Sequence, residues 1–238
     1  MIELTIGNQG RYAEGVLAVA TLTLPATTEA VQAALSHIGV DGRRYEEIYI
    51  AQCETPVPGL AARIGEYESI DELNCLAALL ETLDGNGGLD KFEAAVTLGE
   101  YTGSVKDLIN LAQNLDCYDL YPGVTDEEKL GYYMIDEMCA LKIPEEIQGY
   151  FDYEAYGRDT FLNETSEFTD RGYICNNGGS FIEHYSGRDD LPEEHRVFAY
   201  PKEKEATRSI LATLKQHREA APAAHSGKEK TAASHDER

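Results

Sequence analysis

The sequence predicts an α+β chain of three small domains, followed by a C-terminal extension that is helical and then disordered. Three observations carry this expectation. Short strand patterns alternate with capped amphipathic helices, and Pro and Gly punctuate the chain between them. The hydrophobic content of 42% supports real cores, which the absence of any Trp suggests are small. The expected units are residues 1–62 (a small sheet with one helix), 63–114 (a helical bundle), 115–187 (α+β with a hairpin) and a charged extension over 188–238.

In the first unit Ile2 to Ile6 reads as a strand and Val16 to Leu24 as a second, stopped by Pro25. Thr27 or Thr28 caps a helix through Ala30, Val31, Ala34 and Leu35 that ends near Gly39. Glu46 to Gln52 alternates, with Ile48 and Ile50 on one face and Glu47 and Tyr49 on the other, as a half-buried strand does. Pro56, Pro58 and Gly59 close the unit. Ser69 and Glu72 then form a capping box opening a helix whose buried stripe is Leu73, Leu76, Leu80 and Leu83, with Asp71, Asn74 and Glu81 opposite. Asp84 to Gly88 breaks it, and two more helices are expected, over Leu89 to Leu98 and from Ser104 through Leu108 and Leu111.

In the third unit Cys117 to Tyr121 reads as a strand before Pro122 and Gly123. Thr125 and Glu128 form a second capping box, opening a helix to about Leu141 with Leu130, Met134, Met138 and Leu141 inward and Glu128, Tyr132 and Asp136 aligned outward. The stretch Glu145 to Asp159, EEIQGYFDYEAYGRD, is dense in acids and aromatics. Pro144 suits the start of a short helix, Asp152 caps one from Tyr153 toward Asn163, and Glu154 and Arg158 stand at i, i+4. Gly172 to Cys175 and Ser180 to Tyr185 are expected to form a hairpin about the turn Asn176 to Gly179. Beyond it, Glu203 to Glu219 reads as a mixed-charge helix, and from Ala220 no core pattern remains.

Charge narrows the functional classes. Residues 1–200 hold 37 Asp and Glu against 12 Lys and Arg, whereas residues 201–238 hold 6 against 8. The acid therefore belongs to the folded body, where self-repulsion costs stability, and a field of that sign attracts basic partners. The five cysteines, Cys53, Cys75, Cys117, Cys139 and Cys175, show neither a disulfide framework nor zinc spacing. No metal or cofactor is expected. No apolar run is long enough for a membrane span and the N-terminus lacks signal-peptide character, so a reducing cytoplasm is the expected location. No P-loop, His-Glu-x-x-His or Gly-x-Ser-x-Gly motif occurs. A hydrolase using a carboxylate pair, or Cys139 or Cys175 as nucleophile, has no specific pattern behind it, and His37 and His184, the histidines of the body, read as surface or packing residues.

The segment YYMIDEMCAL, followed by IPEEIQGYFDYEAYGRD and the GYI strand, resembles the C-terminal region of the ArdA antirestriction proteins. The opening IGNQGRYAEG and the middle SIDELN are similar to that family as well, so the resemblance covers about residues 2 to 186. It implies a DNA mimic carried on mobile elements, an elongated chain of three small domains, dimeric through its C-terminal domain, that occupies the DNA-binding groove of type I restriction-modification enzymes without itself binding nucleic acid. Charge agrees in magnitude, since about 25 net charges match the phosphates along roughly 40 Å of duplex. The expected partner-facing acids are Asp71, Glu72, Glu81, Asp84, Asp90 and Glu93 in the middle unit, and Asp116, Asp119, Asp126, Glu127, Glu128, Asp136, Glu137, Glu145, Glu146, Asp152, Glu154 and Asp159 in the third. The alternative expectation is a generic acidic module or decoy for another basic nucleic-acid-binding protein.

Overall fold

The alternation of β1 (Ile2–Asn8) turns Ile2, Leu4 and Ile6 to one side, where all are fully buried. The computed structural model describes residues 1–201, so the expected helix over 203–219 and the expected disorder from 220 lie outside the described residues. β1 is the middle strand of an antiparallel sheet of order β2-β1-β3, with β2 at Val19–Leu24 and β3 at Ile48–Glu54, and a bulge between Thr5 and Ile6 shifts its register against β3. A short α1 (Gln9–Ala13) follows β1, capped by Asn8. α2 (Thr28–Ile38) buries Val31, Ala34, Leu35 and Ile38 against the sheet side. Thr27 supplies its N-cap, and Gly39 ends it at φ 77°, a conformation a Cβ disfavours.

Three helices follow: α3 (Ile70–Asn86), α4 (Leu89–Leu98) and α5 (Val105–Ala112). Ser69 and Ser104 cap α3 and α5 through the N–H groups of Glu72 and Asp107. α3 is buried around most of its circumference: Leu73, Leu76 and Leu80 face the core as the stripe requires, and Asn74, expected outside, is also buried. The reason is long-range. The Asn74 side-chain oxygen accepts the Ala26 N–H at 2.7 Å, which ties α3 to the loop before α2.

The second sheet is antiparallel with order β4-β6-β5, from β4 (Tyr118–Tyr121), β5 (Ser166–Thr169) and β6 (Gly172–Asn176). The hairpin of this region joins β5 to β6 around Asp170 and Arg171, a correction to the expected pairing of β6 with the segment after it. Both edges of β6 are already occupied, so residues 180–185 have no strand to join. Instead Asn110 on α5 and Asn114, just past its C-terminus, each hold a backbone N–H and a carbonyl, of Tyr185 and Ile182 respectively, at 2.8–2.9 Å. Two amide side chains thus stand in for a strand partner.

The chain beyond Tyr185 continues as a strap over the body. Tyr185, Leu191 and Val197 are buried in the main core, which runs without a break from β1 through α3–α5 to Ile174 on β6. The Val197 and Phe198 N–H groups donate to one carboxylate oxygen of Asp71, and Tyr200 donates its hydroxyl to the Glu46 carbonyl at 3.1 Å. A smaller cluster of Val124, Leu130, Tyr173 and Cys175 includes a residue of α6 (Glu127–Tyr132) and is packed by Phe161 of α8 (Tyr153–Asn163), while the short α7 (Glu145–Gln148) between them is exposed throughout. The fold is α+β, as the sequence predicts. Among the described residues no helix is long and apolar enough to cross a membrane.

Candidate partner-binding surface

α6 and α8 are positioned by their caps and by two glycines. Asp126, rather than Thr125, caps α6: its carboxylate accepts the Lys129 N–H at 2.9 Å, while the Thr125 hydroxyl receives the Lys129 ammonium. Asp152 caps α8 through the Ala155 N–H at 2.9 Å. The Lys129 side chain lies first among the interactions that hold the Asp126 carboxyl below its ordinary range. Where the helices cross, a Cβ at Gly131 would land on the Tyr153 carbonyl, and one at Gly157 would land on the Glu127 carbonyl. The helices therefore meet backbone to backbone. Gly157 is the sole buried residue of α8.

The helix opened at Asp126 is shorter than expected. After Tyr132 it widens into a π turn over Tyr133–Glu137 and stops, with Cys139 at φ 53° turning the chain away. Met138 and Leu141, expected in the core, are consequently 51% and 44% exposed, while Leu130 is buried as expected. Aromatic rings fill the crossing, with Tyr132 stacked on Tyr153 at 3.9 Å and Phe151 edge-on to Tyr153 at 5.0 Å. Tyr150, beside them, is 90% exposed.

The expected acids divide by environment. Glu81, Asp84, Asp90, Asp116, Glu128, Asp136, Glu137, Glu145, Glu146, Asp152, Glu154 and Asp159 are exposed, and Asp71, Asp119, Asp126 and Glu127 are half-buried. Among the described residues Glu127, Glu128, Asp136, Glu137, Glu145, Glu146, Glu154 and Asp159 make no ion pair, and the expected Glu154–Arg158 pair is not formed. Asp90 is paired with Arg171 at 3.2 Å.

Glu72 and Glu93 stand apart, because both are buried and committed within the fold. Glu72 accepts the Tyr185 hydroxyl at 2.8 Å and Arg188 at 2.9 Å, and Glu93 pairs with Arg171 at 2.9 Å. Asp71 is likewise engaged by the strap. Sequence periodicity gave no sign of these partners. Exposed acids outside the expected set include Glu164 and Asp170 in the third region and Glu46, Glu47, Glu54 and Glu66 around the first sheet. Their being acids in or beside polar loops was the available signal.

Four of the five thiols offer little nucleophilic chemistry, and Cys139 is the exposed one. All five cysteines are free, burial pushes Cys75 and Cys175 up to about 11, and it raises Cys53 and Cys117 as well.

No curated protein matches the chain. The family model described as antirestriction protein (ArdA) matches residues 5–175, leaving the residues from 176 onward, the strap among them, outside the match. With most of its length matched, the chain belongs to the ArdA family of antirestriction proteins.

Proposed function

We propose that this protein acts in the cytoplasm as an acidic mimic of B-form DNA, occupying the DNA-binding groove of a type I restriction-modification enzyme and so protecting incoming mobile DNA. The observation that carries the reading is the set of exposed, unpaired carboxylates on α6 and α8, whose spacing the Gly131–Gly157 contact fixes. Duplex DNA is a rigid array of negative charge, and only a rigid array of carboxylates can imitate its spacing. Family membership supports the same conclusion, since restriction is the process its members oppose. No catalysis is required of the protein.

The proposal also assigns a homodimer through the third region, where Met138, Leu141, Ile147, Tyr150 and Leu162 are exposed apolar or aromatic residues close in sequence. Tyr150→Asp combined with Leu162→Asp is expected to convert the dimer to monomer in sedimentation equilibrium.

The mimicry is tested by neutralising charge in steps while following displacement of a labelled duplex from a type I methyltransferase core. Each of Glu128→Gln, Asp136→Asn, Glu154→Gln and Asp159→Asn alone is expected to cost less than about 1 kcal/mol, as exposed charges do, and the four together to cost far more. A single exposed change that abolished displacement would show that one contact, not a distributed array, carries binding.

A further inference from the structure

We propose that the cleft between the β4–α6 turn and the π turn is an arginine-binding site, which seats one guanidinium group of the protein's partner. This rests on the reading of the α6–α8 face as partner-facing and adds a preference that charge alone does not give.

The cleft holds about 320 Å3, and Pro122, Val124, Tyr132 and Tyr133 give it an apolar and aromatic lining while Asp136 and Glu137 bring two carboxylates to it. That volume is at the small end of binding pockets and suits a side chain. Tyr132 is 44% exposed even though one face of its ring is covered by Tyr153. Asp136 lies close enough to this stack that its charge, after burial, contributes to raising the Tyr153 hydroxyl. Lys129 also lines the cleft, but its ammonium is already held at 2.6 Å by the Thr125 hydroxyl and at 2.9 Å by Asp126. The positive charge nearest the cleft is thus committed to the cap of α6, and Asp136 and Glu137 have no ion-pair partner among the described residues.

An aromatic ring beside two unpaired carboxylates fits one cationic chemistry best. A guanidinium is planar and weakly hydrated, stacks on a ring face and engages a carboxylate with two parallel N–H groups, whereas a lysine ammonium is a strongly hydrated point charge that gains less from the ring. A DNA phosphate accepts either cation. A surface imitating phosphates by charge alone would rank the two side chains as their carboxylate hydrogen bonds do, with no contribution from Tyr132.

The test uses the full chain with fluorescein-labelled hexa-arginine and hexa-lysine peptides, followed by fluorescence anisotropy at one fixed salt concentration. The wild type is expected to bind hexa-arginine more tightly, with about two- to five-fold of the ratio arising at Tyr132. Tyr132→Phe, which keeps the ring, is expected to preserve the ratio, and Tyr132→Leu to lose that part while hexa-lysine affinity stays within about two-fold. An unchanged ratio in Tyr132→Leu overturns the proposal. Should that variant loosen the α6–α8 crossing, as read by its melting curve, Asp136→Asn with Glu137→Gln provides the second arm. It must weaken hexa-arginine more than Glu145→Gln with Glu146→Gln does, and equal losses overturn the site. A Tyr132-dependent ratio in a protein that fails to displace DNA from the methyltransferase would support the cleft and refute only the DNA-mimic reading.

Discussion

Replacing Gly157 by Ala is the sharpest perturbation of the acidic face that adds no charge. In the middle of a helix the change alone favours folding by about 0.5–1 kcal/mol, because Ala restricts the unfolded chain and suits the helix better. Here the new methyl would fall on the Glu127 carbonyl and within 2.7 Å of the Gly131 nitrogen, both backbone atoms that no rotamer change can move. The helices must part, and overpacking of this kind costs about 1–3 kcal/mol, so a net loss of about 1–2 kcal/mol is expected. Gly85→Ala is the matched control, since a Cβ there meets nothing within 4 Å on the same kind of backbone. Urea unfolding followed by circular dichroism measures both, and the midpoint of Gly157→Ala should fall while that of Gly85→Ala holds or rises. The Tyr132–Tyr153 stack and the spacing of Glu127, Glu128 and Glu154 should be disturbed with it, weakening partner binding without altering net charge. If Gly157→Ala were as stable as Gly85→Ala, the backbone-to-backbone crossing would be refuted, and with it the argument that the carboxylates are rigidly spaced.

Other predictions address the strap, the thiols and the charge. Glu72→Ala leaves the buried Tyr185 hydroxyl without its acceptor and frees Arg188, so it should cost about 1–3 kcal/mol and open residues 188–196 to limited proteolysis; an unchanged digestion pattern would contradict the clasp. Iodoacetamide at pH 8 should modify the exposed Cys139 first and leave Cys75 and Cys175 intact, their thiols being pushed up to about 11; mass spectrometry of the native protein decides. The Asp126 carboxyl is held below its ordinary value in the fold, so its contribution to stability is present above the unfolded value near pH 4 and lost as pH falls through the lower folded value. Asp126→Asn should therefore flatten that part of an acid titration. Raising salt should increase the melting temperature by screening self-repulsion and weaken partner binding at the same time, two opposite trends in one titration.

Local signals were the legible part of this sequence. The caps at Thr27, Ser69, Ser104 and Asp152 stand where serine, threonine and aspartate precede helical periodicity, and α4 and α8 begin and end at the residues that periodicity marks. Family membership was legible too, from YFDYEAYGRD and its flanking segments. What lay beyond reach depends on partners distant in the chain. Tyr185 and Arg188 meet Glu72 across 113 and 116 residues, and nothing in the period of α3 marks Glu72 as buried rather than outward. Likewise nothing in the sequence marks Asn110 and Asn114 as partners of a distant backbone, although their amides hold the segment that was expected to be a strand. α6 broke expectation for a third reason: Met138 and Leu141 continue the apolar stripe in sequence, but the π turn ends the helix at Met138 and Cys139 turns the chain away before Leu141. Among the candidate acids, sequence picked out the exposed majority because acids default to the surface, and it included Glu72 and Glu93 because their ion-pair partners lie so far along the chain.

DNA mimicry is put to the test by titrating the protein against a labelled duplex bound to a type I methyltransferase core, at low and at moderate salt, with an unrelated DNA-binding protein as control. Displacement from the methyltransferase is expected at concentrations that leave the control complex intact, weakening steeply as salt rises. No displacement at low salt, or equal displacement from both proteins, would contradict it.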